Sequence, residues 1–92
     1  MILNFSCISS QALYEGKRVP RFIQIENVAT RKLQQLDCAV TLEFLRSPPG
    51  NRLESLRGDR HGQYSIRIND QYRLCFQWTD QGAKNVEIVD YH

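Results

Sequence analysis

Two consecutive prolines divide this chain. The run Ser47-Pro48-Pro49-Gly50-Asn51 cannot continue a helix, because proline lacks the amide hydrogen and forces its predecessor into an extended path. The hydrophobic period changes across it. Upstream, Phe22, Ile25, Ala29, Leu33 and Leu36 are spaced by 3, 4, 4 and 3, which places them on one face of a helix. Asp37 is positioned to cap a second, short helix carrying Ala39, Val40, Leu42, Phe44 and Leu45. Downstream, Tyr64, Ile66 and Ile68 alternate with Ser65, Arg67 and Asn69, and Tyr72, Leu74, Phe76 and Trp78 alternate with Arg73, Cys75 and Gln77. That is the period of strands with one buried face. Leu53 and Leu56 bracket a further short strand, and Val86, Ile88 and Val89 mark the last one. The pattern predicts an α+β fold: a small twisted, mainly antiparallel sheet backed by N-terminal helices that cover its apolar face.

The ends of the front half are less regular. Ile2, Leu3 and Phe5 suit a short first strand, and Ser9–Tyr14 a helical turn. Glu15-Gly16-Lys17-Arg18-Val19-Pro20 then breaks periodicity and reads as an exposed basic loop. With 92 residues the chain is expected to form a single domain over 1–92. Its 41% apolar and 24% charged residues argue for a globular chain and against disorder. No apolar run approaches the ~18 residues of a membrane span. The opening Met-Ile-Leu-Asn-Phe-Ser lacks the features of a secretory leader, so a soluble, cytoplasmic protein with no membrane partner is expected. Cys7, Cys38 and Cys75 are odd in number and widely spaced, which fits neither a disulfide framework nor a zinc site. They are expected to be reduced and mostly buried.

The net charge is only +2, too small to imply broad nucleic-acid binding. Its makeup is more informative, since nine of the twelve cations are Arg, the residue suited to planar, bidentate recognition of phosphate. Arg46, Arg52, Arg57, Arg60, Arg67 and Arg73 stand against Glu54, Asp59 and Asp70, a balance of +3 over 28 residues. The pleat puts Arg67 and Arg73 on the face opposite Ile66 and Leu74, on neighbouring strands. Two guanidinium groups on one uncovered face, with no carboxylate interleaved, would make a phosphate cradle. Ion pairing with Glu87 or Asp70 is the alternative. His61, in the turn Gly58–Gly62, reads as a solvated turn residue.

The chain closes on Asp90-Tyr91-His92 directly after a strand. All three side chains can move protons. The α-carboxylate at His92 favours imidazolium, and a His poised near neutrality suits general acid or base work.

The segment Ser47-Pro48-Pro49-Gly50-Asn51-Arg52-Leu53-Glu54-Ser55-Leu56, followed by Gly58-Asp59-Arg60, then Gln63–Phe76 and Val86–His92, resembles the HigB-type toxins of the RelE/ParE toxin superfamily, in particular the branch of plasmid-maintenance killer proteins. The resemblance covers essentially the whole chain and is most specific in its second half. It implies a ribosome-dependent messenger-RNA endonuclease that inhibits translation and needs no metal or other cofactor. It implies a HigA-type helix-turn-helix antitoxin as partner, operator DNA reached only through that antitoxin, and action on mRNA in the ribosomal A site. Carried over by position, Asp90, Tyr91 and His92 match the catalytic end, and Arg73 matches the strand Arg facing the scissile phosphate. Arg57 falls where relatives carry a polar residue near the RNA; Arg60 and Arg67 complete the expected RNA-binding face, and Lys17 and Arg18 would meet ribosomal RNA. Where some relatives carry a catalytic His, this chain has Glu54. Either Glu54 is the base, or Tyr91 and His92 share the proton work while Glu54 pairs with Arg57 or Arg52. Two other functions remain open on the same fold: a ParE-like gyrase poison, and a non-catalytic module of a repressor complex.

Overall fold

A computed structural model describes residues 1–91. The elements are α1 (Ile8–Tyr14), a 3-10 turn (Pro20–Ile25) running into α2 (Glu26–Cys38), 3-10 turns at Leu42–Arg46 and Pro49–Asn51, and then β1 (Glu54–Ser55), β2 (Tyr64–Arg67), β3 (Tyr72–Thr79) and β4 (Gly82–Asp90), with a last 3-10 turn at Gly58–Arg60 between β1 and β2. The strands form one antiparallel meander in the order β1-β2-β3-β4. Alternation fixes the register, because a slip of one residue would turn every apolar side chain to the wrong face.

The helical stripe packs as its spacing predicts. Phe22, Ile25, Ala29, Leu33 and Leu36 are all buried, and they meet Ile66, Leu74, Phe76, Val86 and Ile88 from the sheet. The stripe starts in 3-10 geometry, where Pro20 presets the backbone angle of the first turn. Tyr72 meets Phe22 edge-on at 5.9 Å between ring centroids, which marks the side chains of that register row as facing the helices.

The structure corrects three sequence expectations. Asp37 does not cap a second helix. It lies inside α2, and its carboxylate accepts the Ile2 amide at 2.8 Å. The following turn is a 3-10 segment, Leu42–Arg46, capped by the Thr41 hydroxyl, which accepts from the Phe44 amide at 3.3 Å; Ala39 and Val40 precede it. The expected first strand is reduced to isolated parallel bridges of Ile2 to Ala83 and Phe5 to Val86, along the free edge of β4. Gly82 makes that approach feasible, since a Cβ there would stand 2.2 Å from the Met1 carbonyl oxygen. The cysteines are free, as expected, but only Cys75 is buried; Cys7 is half-buried and Cys38 exposed. No helix among the described residues is long and apolar enough to cross a membrane.

Candidate active site

The helices cover one face of the sheet and leave the other open. Ser65, Arg67, Arg73, Cys75 and Glu87 share the open face, because Ser65 pairs with Cys75, Arg67 with Arg73, and Cys75 with Glu87 in the ladder. Arg67 and Arg73 are therefore direct cross-strand neighbours. Like charges directly opposite are unfavourable, and the structure relieves them with carboxylates that alternation alone does not place on this face. Arg67 pairs with Asp70. Arg73 Nη1 lies 3.4 Å from Glu54 Oε1, because Glu54 is the register partner of Ser65 on the next strand. Glu54 thus pairs with Arg73, not with Arg57 or Arg52.

Arg73 is the best-held cation of the face. Its Nε donates to the Ser65 hydroxyl at 2.8 Å, and its Nη2 donates to the Arg52 carbonyl at 2.8 Å. Its side chain is 13% exposed, against 31% for Arg67. A planar fork anchored on three sides has lost its rotamer freedom before any ligand arrives.

A cleft of about 390 Å³ opens over this pair, lined by Arg52, Arg67, Asn69, Asp70, Arg73 and Tyr91. Asn69 is placed by an Asx turn in which its side-chain oxygen accepts the amides of Gln71 and Tyr72 at 2.9 and 2.7 Å. Tyr91 enters because its amide donates to the Gln71 carbonyl, which continues the β3–β4 ladder by one residue. Asp90 departs from the expected constellation. It is the register partner of Tyr72, so it lies on the helix-facing side of the sheet, where it accepts from Gln71 Nε2 at 3.1 Å. Alternation alone separates it from Tyr91. His92 lies outside the described residues.

The remaining expected cations divide. Arg60 is half-buried and held as guanidinium chiefly by its hydrogen bond to Glu87, at 2.9 Å, with Tyr91 close enough to add to the effect. It also donates to Gln63 at 3.1 Å. Arg57 is exposed and leads into the 3-10 turn at Gly58–Arg60. Lys17 and Arg18 belong to the other layer. Lys17 pairs with Glu15 at 3.4 Å, and Arg18 approaches Glu26 of α2 at 3.8 Å. Cys75, beneath the open face, has its thiol pushed up to about 11 by burial, so it is a protonated packing group. Among the described residues no group of three or more His, Cys, Asp or Glu is arranged to hold a metal ion.

Sequence reasoning missed several contributors. Ser65 carries a signal, its parity with Arg67. Arg52 counts in the sequence only as charge, whereas its carbonyl is what holds Arg73. Asn69 and Asp70 read as turn residues, and nothing in the sequence reveals that the turn forms a wall.

An open sheet face with cross-strand arginines, a tyrosine and a carboxylate around a cleft, on a small α+β fold, has the chemistry that suits a phosphate-bearing ligand. Comparison narrows the reading. Residues 10–92 match the family described as the RelE-like toxin of type II toxin-antitoxin system HigB, and the chain belongs to that family. It is 47% identical over 87 residues to Toxin HigB-1 of Vibrio cholerae serotype O1, covering 92% of each chain. It is 33% identical over 61 residues to Endoribonuclease HigB of Proteus vulgaris, covering 66% of this chain and 65% of that one. In architecture it resembles the YoeB-YefM complex from Staphylococcus aureus, with a TM-score of 0.64, 22% identity, and coverage of 100% of this chain and 95% of that one. It also resembles the YoeB/ParE toxin from Agrobacterium tumefaciens, with a TM-score of 0.53, 20% identity, and coverage of 99% and 96%.

Proposed function

We propose that this toxin cleaves messenger RNA on the translating ribosome, as one domain spanning the 92 residues, and that the cleft over Arg67 and Arg73 is where the scissile phosphate sits. The observation that carries the reading is the direct pairing of these two arginines on an open face, in a chain of the HigB-like family. An enforced pair of like charges is at its most favourable with an anion between them.

The chemistry follows from the side chains at hand. A base removes the proton of a ribose 2′-OH; the oxygen attacks the adjacent phosphorus in line; the bond to the departing 5′-oxygen breaks, and an acid protonates that oxygen. The products are a 2′,3′-cyclic phosphate and a free 5′-OH. Arg73, already oriented, stabilises the charge that grows on the phosphoryl oxygens, and Arg67 faces it from the neighbouring strand. Glu54 is the base. Its side chain lies beside Arg73 and is 59% exposed, open to an incoming ribose. Tyr91 and His92 serve the leaving group. Asp90 works from the other face as a positioning residue, through the contact with Gln71 that holds the end of β4. Arg57 and Arg60 would contact the RNA backbone.

The small net charge fits this reading, since a protein that works inside the ribosomal A site needs local positive charge more than a large excess. Lys17 and Arg18, on the opposite layer, would meet ribosomal RNA. The partner is an antitoxin, of the HigA helix-turn-helix type, which carries the operator-DNA contact. The site of action is the cytoplasm.

The test is cell-free translation with the 5′ ends of the message mapped by primer extension, with and without ribosomes, alongside a His92 deletion. Cuts that need translating ribosomes and fade in the deletion support the reading. An intact message together with inhibited gyrase supercoiling would replace it.

A further inference from the structure

A buried amide links the helical layer to the cleft. Asn51 is 0% exposed, between the exposed Gly50 and Arg52. Its Nδ2 donates to the Leu45 carbonyl at 3.1 Å and to Gln35 Oε1 of α2 at 3.2 Å. Its Oδ1 accepts from Lys32 Nζ of α2. Its backbone amide closes the turn onto the Pro48 carbonyl at 3.0 Å. Both amide hydrogens and the amide oxygen are thus engaged, as a buried polar side chain requires. Aspartate at this position lacks both donors, and no apolar side chain supplies either function.

The next residue is Arg52. It takes the left-handed conformation, with φ 47° and ψ 57°, an uncommon state for a residue other than glycine. That conformation turns its carbonyl toward the sheet, where it accepts Arg73 Nη2 at 2.8 Å. Without an anchor, a Pro-Pro-Gly-Asn turn has no reason to hold such a backbone state, and Asn51 is the anchor. Lys32 is itself partly buried beside this amide. Its ammonium is held below the usual lysine range by burial first, and then by Arg31 and Arg67.

We propose that Asn51 is a positioning residue for Arg73: its side chain clamps the Pro48–Arg52 turn to α2, so that the Arg52 carbonyl holds the Arg73 guanidinium aimed into the cleft. The inference rests on the proposed role of Arg73 for its consequence in catalysis, but its geometric part is independent of that role.

The experiment therefore has two readouts on the full chain. The first is the Arg73 Nε–Hε resonance by NMR, with its rate of exchange with water. In the wild type this proton, bonded to Ser65, is expected to be protected. In Asn51→Asp it should exchange at least tenfold faster, while the amide resonances of β2–β4 keep their positions. Arg52→Gly, which keeps the carbonyl and suits the left-handed backbone, should leave the Arg73 signal protected. If Asn51→Asp fails to fold, Gln35→Ala removes one anchor of the amide and should raise the exchange rate by a smaller factor. The second readout is cleavage on ribosomes. Asn51→Asp should lower kcat by roughly ten- to a hundredfold, the order expected for a displaced catalytic group, with KM changed less than about twofold. An Arg73 signal as protected in folded Asn51→Asp or Gln35→Ala as in the wild type overturns the proposal. A wild type that does not cut RNA overturns the proposed function instead, and leaves the exchange result to judge the clamp.

Discussion

Two basic regions of this molecule look alike in sequence and differ in structure. Lys17 and Arg18 are adjacent cations in a Gly- and Pro-flanked loop; their side chains are 70% and 73% exposed, each beside one carboxylate. Arg67 and Arg73 stand at register partners of a sheet, 31% and 13% exposed, with Arg73 held from three sides. Charge is the same in both. What differs is how much conformational entropy has been lost before a ligand arrives. A flexible cation attracts RNA and loses rotamer freedom on contact; a fixed fork is already in place when negative charge develops. In the proposed function the loop serves encounter and the cleft serves chemistry.

Mutations can break that contrast, and the largest effect is expected at Arg73. Arg73→Ala should lower kcat for ribosome-dependent cleavage by roughly 10²–10³, with a melting curve that stays cooperative. Arg73→Lys should recover little, because a point charge cannot make the forked contacts to Ser65 and Arg52 together. A folded Arg73→Ala variant of full toxicity would remove the cleft from the mechanism.

Glu54→Gln comes next. If Glu54 is the base, kcat should fall by about a hundredfold while KM is kept, since the amide preserves the shape of the side chain. A loss below about threefold would reduce Glu54 to a tether and pass the proton work to Tyr91 and His92.

At the loop the sign of the split reverses. Lys17→Ala with Arg18→Ala should raise KM a few-fold and leave kcat alone. The salt slope of ribosome binding should fall by about one for each phosphate that the variant no longer neutralises. A kcat effect at the loop would erase the distinction.

The smallest effect on cleavage, and a readable one on stability, is expected on the helical side. The Tyr14 hydroxyl and the Ile2 amide both bond the Asp37 carboxylate. The Ile2 amide, and then Tyr14, hold Asp37 below the usual carboxylate range. The hydrogen bond to Asp37, and then burial, push Tyr14 up to about 12. A depressed acid stabilises the fold above its unfolded pKa and ceases to as pH falls below about 4. A raised phenol stabilises it below pH 10 and ceases to as pH rises toward 12. The difference in unfolding free energy between the wild type and Tyr14→Phe should therefore be flat from about pH 5 to 9 and shrink on both sides. Urea titrations in acid, at neutrality and in alkali near the Tyr14 pKa measure it. A difference that persists in alkali would detach Tyr14 from Asp37. Cleavage at neutral pH should be unchanged within about twofold.

Periodicity by itself determined much of this protein. A 3-4-4-3 stripe before Pro48-Pro49 and strict alternation after it admit few folds, because each pattern has one face to bury and the two faces must meet. The same parity placed Arg67 and Arg73 on the open face, and the resemblance in the second half of the chain carried the family. Tertiary structure decided the rest. Asp90 and Tyr91 are sequence neighbours that the pleat sends to opposite faces, since only the register with Tyr72 shows which of them looks into the cleft. Glu54 finds Arg73 because a two-residue strand pairs beside Ser65, a placement that no local spacing encodes. Asp37 leaves its expected capping role for the Ile2 amide, 35 positions away, and Asn51 reaches back to α2. Burial next to apolar neighbours is a property of type and period, which sequence carries. The partner of a polar side chain is a property of distance, and distance exists only once the chain has folded.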